Sequence, residues 1–408
     1  MNNGIYKRIF LLVVLSIASG FLAGCWDQLE IEDRALVLGL SIDSVPANSE
    51  TEDDKTTHLS SANINLNKIR VTAQIAVPGR VPLGPSSGGE GSGGGNQNPV
   101  WVIQVYGYSL DDAMNNLQQQ ISDPRYLIHL RVIIISEDIA RSNLHDLNDY
   151  LRRNPEVRRR TWLLVSEGAA SEFMNINPPL QRVPTLYILS TMEKAVTSGK
   201  FPANYMGVFW SAESKWGESG YLPYVSLHQK ENMLIKGLAY FSGGVMVGST
   251  TPIEIGAYMS MKGINPGGYS VLFNSDKFGP VILKTNDRFT RIKAQIKNGK
   301  PHITYNIFLD AALDEHISSE ANISSSQALK ELEVNFQKGV IQILDQLIKE
   351  TQQAHSDIFG MGEYVRAYMP SYWKANVHNK KDWEEQYSHL TVDIKVNSNI
   401  NRVGLKEE

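Results

Sequence analysis

Cysteine is almost absent from this chain: Cys25 is the only one in 408 residues. No internal disulfide can form, so the fold must rest on its own apolar core. Long hydrophobic runs are missing too. The longest, residues 9–18, is about ten apolar residues, short of the ~20 needed to cross some 30 Å of hydrocarbon. Catalytic signatures of the HExxH, Walker A and CxxC kinds do not occur. The nine histidines (His58, His129, His145, His228, His302, His316, His355, His378 and His389) show no ligand spacing, which leaves zinc no obvious site. A strong charge bias is also lacking. The formal charge is −4, and −6 once Lys7 and Arg8 are removed with the first 24 residues (−4 − 2), which argues against a nucleic-acid partner.

What is present begins at the N-terminus. Lys7 and Arg8 precede the short apolar run, Ser19-Gly20 breaks it, and Leu22-Ala23-Gly24-Cys25 closes it. This reads as a cleaved export signal, residues 1–24, with small residues at the peptidase site. A cysteine directly after them is the lipobox arrangement of bacterial lipoproteins, so Cys25 is the expected lipid-attachment residue. Only a thiol can take up a diacylglycerol thioether, and two or more acyl chains make a lasting anchor. The mature chain of 384 residues (408 − 24) has room for two or three domains.

Along that chain, strand patterns fall at residues 35–42, 69–77, 100–106, 128–136 and 161–166. Helical patterns lie at 109–121, opened by a Ser109–Asp112 capping signal, at 144–153, and near 170–176 and 186–196. Strands and helices alternating in this way predict an α/β layer domain over residues 25–198. Residues 199–268 turn to short segments rich in aromatics, Gly and Pro, read as a small middle domain, with a hairpin at 237–248 turning on Ser242-Gly243-Gly244. Residues 269–408 form a third unit. It holds two strands joined by Lys297-Asn298-Gly299-Lys300, a long helix over 325–354 and a last strand at 390–396. The helix carries Leu329, Leu332, Phe336, Val340, Ile343 and Leu347 as an apolar stripe, expected to cover the sheet. The fold class is thus α+β, mixed sheets covered by helices, in three domains.

Few residues suggest chemistry. Gly89, Gly91 and Gly94 match a dinucleotide pattern, but they sit in the low-complexity stretch 84–99 with no helix following, so no cofactor is expected. Asp310, Asp314, Glu315, Asp357 and Glu363 are the carboxylates available to a two-acid hydrolase. Arg152, Arg153, Arg158, Arg159 and Arg160 place five guanidiniums within nine residues. Arg158, Arg159 and Arg160 are candidate contacts for phospholipid headgroups or an acidic partner. The alternative is a helix C-terminus and turn whose arginines offset the dipole and pair with Glu156 or other acids.

Several blocks resemble one family. They are Leu22-Ala23-Gly24-Cys25-Trp26-Asp27-x-x-Glu30-Ile31, Val37-x-Gly39-x-x-Ile42-Asp43, Val71-Thr72-x-Gln74-Ile75-x-x-Pro78 and His129-Leu130-Arg131-Val132-Ile133-Ile134. Leu151-Arg152-Arg153 before Pro155-Glu156-Val157-Arg158, Gly237-Leu238-Ala239-Tyr240-Phe241 and Asp357-x-Phe359-Gly360-x-Gly362 continue the series. Together they resemble the Ger(x)C, or GerAC-type, spore germination lipoproteins over nearly the whole mature chain. Tyr240-Phe241 in place of Val-Phe, and a long 84–99 insert, are the departures. The resemblance implies a non-enzymatic C subunit of a germinant receptor, lipid-anchored on the outer face of the spore inner membrane beside two polytopic membrane subunits. It carries over Cys25 and no catalytic residue. A solute-binding lipoprotein of a transporter and a lipid-anchored cortex or wall hydrolase are the alternative readings.

Overall fold

The computed structural model describes residues 3–20, 33–46, 67–77, 98–142, 144–179, 181–265, 267–275, 277–317, 323 and 325–402. Cys25 with its cleavage site and the glycines at 89, 91 and 94 lie outside these residues. Helix α1 (Asn3–Gly20) leads the chain, and no described helix is long and apolar enough to cross a membrane.

The first sheet begins as an antiparallel meander of β1 (Ala35–Val45), β2 (Lys68–Ala76) and β3 (Val100–Gly107). The short β4 (Arg125–Tyr126) runs parallel along the start of β1. β5 (Val132–Ser136), β6 (Trp162–Ser166) and β7 (Tyr221–His228) follow in parallel, and β8 (Asn232–Ser242) and β9 (Val245–Ser249) close the sheet antiparallel. The order is β3-β2-β1-β5-β6-β7-β8-β9, with β4 on β1. β5 and β6 are buried at every position because both sheet faces are covered, which is why they read as continuous apolar runs.

Helices α2 (Leu110–Gln120), α3 (Glu137–Ser142) and α4 (His145–Arg153) pack on the face formed by Ile133, Ile135, Leu163 and Val165. Ser109 caps α2, its Oγ accepting the Asp112 N–H at 3.1 Å. Val132, Ile134, Trp162 and Leu164 face the other side, toward a 3-10 turn (Ala170–Met174) and α5 (Pro184–Thr197). Helix α6 (Met206–Glu213) joins the first face through Met206, Phe209 and Trp210. Residues 199–268, expected as a small unit of their own, instead supply α6, the three strands that complete the first sheet, and α7 (Pro252–Lys262). Aromatics and Pro223 concealed β7 from pattern reading. It is held in place by backbone pairing to β6 and β8, not by a local period.

The second sheet is β10 (Ser270–Ser275), β11 (Gly279–Lys297), β12 (Lys300–His316) and β13 (Thr391–Arg402), in that order. The β11–β12 turn places Asn298 and Gly299 at φ 50° and 75°, the left-handed pair that Asn-Gly favours. β13 returns parallel to β12, a crossover made by α8 (Ser326–Gln353), α9 (Met361–Tyr368), α10 (Pro370–Asn376) and α11 (Lys380–Ser388). α8 buries Leu332, Phe336 and Leu347 in a core shared by both sheets.

Asp357 ties the two units together. Its N–H donates to Ser219 Oγ at 3.1 Å, its carbonyl accepts the Ser219 N–H at 2.8 Å, and Ser356 Oγ donates to the Phe241 carbonyl at 2.6 Å. The Asp357 carboxylate accepts from the Met361 and Gly362 N–H groups and from Trp383 Nε1 at 2.9–3.1 Å. Gly362 is required there. A Cβ would come within 2.5 Å of Gly217 Cα and of the Trp383 ring.

Candidate functional site

The carboxylates open to a hydrolase do not assemble into a cluster. Asp310 accepts from Asn399 and Asn401, Asp314 and Glu315 are exposed near the end of β12, and Glu363 pairs with Arg366. Asp357 is the buried tie just described. Among the described residues no group of three His, Cys, Asp or Glu could hold a metal ion.

The five arginines divide. Arg152 lies over the Trp210 ring at 5.1 Å, and Arg153 pairs with Asp149 at 2.8 Å, both occupied within the fold. Arg158, Arg159 and Arg160 are exposed on the segment between α4 and β6. Pro155 cannot continue the helix. Asn154 Oδ1 accepts the Glu156 N–H and Val157 plugs into the core, so the chain turns and throws the next three side chains outward. Helix α6 then pins this turn. The Met206 N–H donates to the Thr161 carbonyl at 3.0 Å and the Gly207 N–H to the Arg159 carbonyl at 2.9 Å. Gly207 permits that approach, because a Cβ there would sit 2.9 Å from Arg159 Cβ. Arg160 stacks on Tyr205, guanidinium to ring centre 5.1 Å.

Tertiary structure adds one residue that spacing did not offer. Arg131, the single charge in an otherwise apolar strand run, lines one concavity of about 440 Å³ with Arg158, Arg159, Arg160, Tyr205 and Glu193. Burial, followed by the charges of Arg158 and Arg131, pushes the pKa of neighbouring His129 down. The expected pairing with Glu156 is not made: that carboxylate accepts the Leu127 N–H at 2.8 Å. None of Arg131, Arg158, Arg159 and Arg160 forms an ion pair among the described residues.

Comparison with known proteins assigns the architecture. Residues 27–227 match the model of the spore germination protein N-terminal domain, and residues 236–404 that of the spore germination B3/GerAC-like C-terminal domain. The chain belongs to the GerAC-type spore germination family. Spore germination protein B3 of Bacillus subtilis (strain 168) is 25% identical, with 94% of this chain and 95% of that protein covered. Spore germination protein KC of the same organism is 21% identical over 98% and 97%. The crystal structure of the GerBC protein superposes with a TM-score of 0.55 at 20% identity, covering 83% of this chain and 95% of that one, a likeness of fold. The boundary between the two GerAC-type regions, residues 228–235, falls in the β7–β8 hairpin, inside the first sheet. Of the blocks that carried the resemblance, Asp357-x-Phe359-Gly360-x-Gly362 is the tie between the units, and the His129 to Arg131 and Pro155 to Arg158 blocks build the arginine concavity.

Proposed function

We propose that this GerAC-type protein is the non-catalytic C subunit of a germinant receptor, held on the outer face of the spore inner membrane by lipid on Cys25. Two polytopic membrane subunits are its partners, and it acts by contact, without turnover. The observation that carries this reading is the family match, which spans the chain from residue 27 to residue 404 apart from residues 228–235. The Leu22-Ala23-Gly24-Cys25 block, immediately before the matched region, supports the anchor. Arg158, Arg159 and Arg160 are the proposed contact surface toward the membrane and the receptor on it, since they are exposed, held on a pinned turn and, among the described residues, make no ion pair, Arg160 resting on Tyr205.

The anchor is tested by Cys25→Ala in cells that lack the two membrane subunits. The protein should leave the membrane fraction, because the mature chain has no other long apolar segment. Unchanged retention there would refute lipidation at Cys25. The partner reading is tested by co-purification of the membrane subunits with the unmodified chain, and their absence from the complex would sink it.

A further inference from the structure

Strand polarity determines which end of the first sheet lies nearest the proposed anchor. β1, β5 and β6 are parallel, so their starts share one end. The Arg131 N–H donates to the Leu38 carbonyl and the Trp162 N–H to the Arg131 carbonyl, both at 2.9 Å, which locks the three starts side by side. At that same end the chain leaves β1 toward Cys25. Ten residue steps separate Cys25 from Ala35 (35 − 25), so the tether reaches at most ~35 Å. The arginine concavity therefore opens at the end from which the tether emerges.

We propose that this concavity binds the phosphates of anionic phospholipid headgroups, so that the amino-terminal end of the first sheet rests on the membrane surface. The orientation rests on the lipid-anchor reading of Cys25. Guanidinium forks match phosphate oxygens bidentately, and Arg131, Arg158, Arg159 and Arg160 converge with none of the four in an ion pair among the described residues. Glu193, the acid in the lining, leaves the four in excess. The rim has the composition of a membrane interface. Tyr205 lies under Arg160, and Val208, beside Tyr205, is 47% exposed. On a mature chain of net charge −6, with Asp27, Glu30, Glu32 and Asp33 on the tether itself, the arginine concavity is the basic surface that this end offers to an anionic membrane.

The test is amide hydrogen exchange on the full lipidated chain in nanodiscs, comparing phosphatidylglycerol-containing discs with pure phosphatidylcholine. Residues 126–131 and 156–161 should gain protection in the anionic discs alone and lose it at high salt. The Arg131→Gln, Arg158→Gln, Arg159→Gln, Arg160→Gln combination should abolish the gain, with an unchanged melt showing that the fold is intact. Equal protection in phosphatidylcholine would point to the chain's own acids Asp27, Glu30, Glu32 and Asp33 as the occupant and overturn the proposal. Equal protection from soluble glycerol phosphate would make it a free-phosphate site, and protection that needs the membrane subunits would make it a protein interface. Either result overturns docking on lipid. A chain that never enters the discs refutes the anchor, and the orientation with it.

Discussion

At the scale of single residues, Asp357 carries the sharpest consequence. Its carboxyl is fully enclosed, and burial raises its pKa from 3.8 to about 6 although the Gly362, Met361 and Trp383 donors favour the charged form. A raised carboxyl pKa means the folded state holds a proton that the unfolded chain has already released. The contribution is complete below about pH 4 and is lost as pH rises through 6, a fall of about 3 kcal/mol by pH 7 from this group alone. Asp357→Asn removes that titration, so its destabilisation should be larger at pH 4 than at pH 7 in urea unfolding. A pH-independent cost would show that the carboxyl does not titrate in this range. Gly362→Ala should cost about 1–3 kcal/mol by overpacking against Gly217 and Trp383. A neutral melt would mean that the two units separate there without penalty.

At the scale of elements, α8 and the α4–β6 turn behave oppositely. α8 is amphipathic over its whole length and its stripe is spent inward. Phe336 is 4% exposed and meets Phe273 edge-on at 5.7 Å, while Gly339 gives that ring room. Phe336→Ala should therefore cost about 3–5 kcal/mol. A loss under roughly 1 kcal/mol, the scale of a surface change, would mean that the stripe serves a partner instead. The α4–β6 turn spends its charges outward. Because Arg158, Arg159 and Arg160 are exposed and make no ion pair among the described residues, changing Arg158 or Arg159 to Glu should alter stability by no more than about 0.5 kcal/mol. Changing Arg160, which rests on Tyr205, should alter it by no more than about 1 kcal/mol. Calorimetry on the triple variant checks this, and a collapsed melt would reassign the three as structural partners.

At the scale of the whole molecule, two sheets share a continuous core, and their hydrogen-bonded tie joins Ser219 to Asp357 across 138 residues of sequence. The triple reversal separates assembly from folding. If the arginine end is a contact surface, membrane-bound receptor should assemble poorly while the isolated chain melts normally, since charge reversal at a desolvated contact costs several kcal/mol. Normal assembly would return these arginines to the solvated surface.

Much of this organisation was legible from residue order because it is local. Period-two alternation marks β2, positive-φ residues mark the β11–β12 and β8–β9 turns, and a three-four spacing marks α8. The blocks that resemble the GerAC-type family are likewise readable without a fold. Tertiary structure decided what local rules do not encode. β7, β8 and β9 join the first sheet through pairing that a Pro- and aromatic-rich segment does not announce. Asp357 reads as one acid among several until burial and three donors single it out. Arg131 joins Arg158, Arg159 and Arg160 because parallel strands bring their starts together, a consequence of sheet order rather than of sequence spacing.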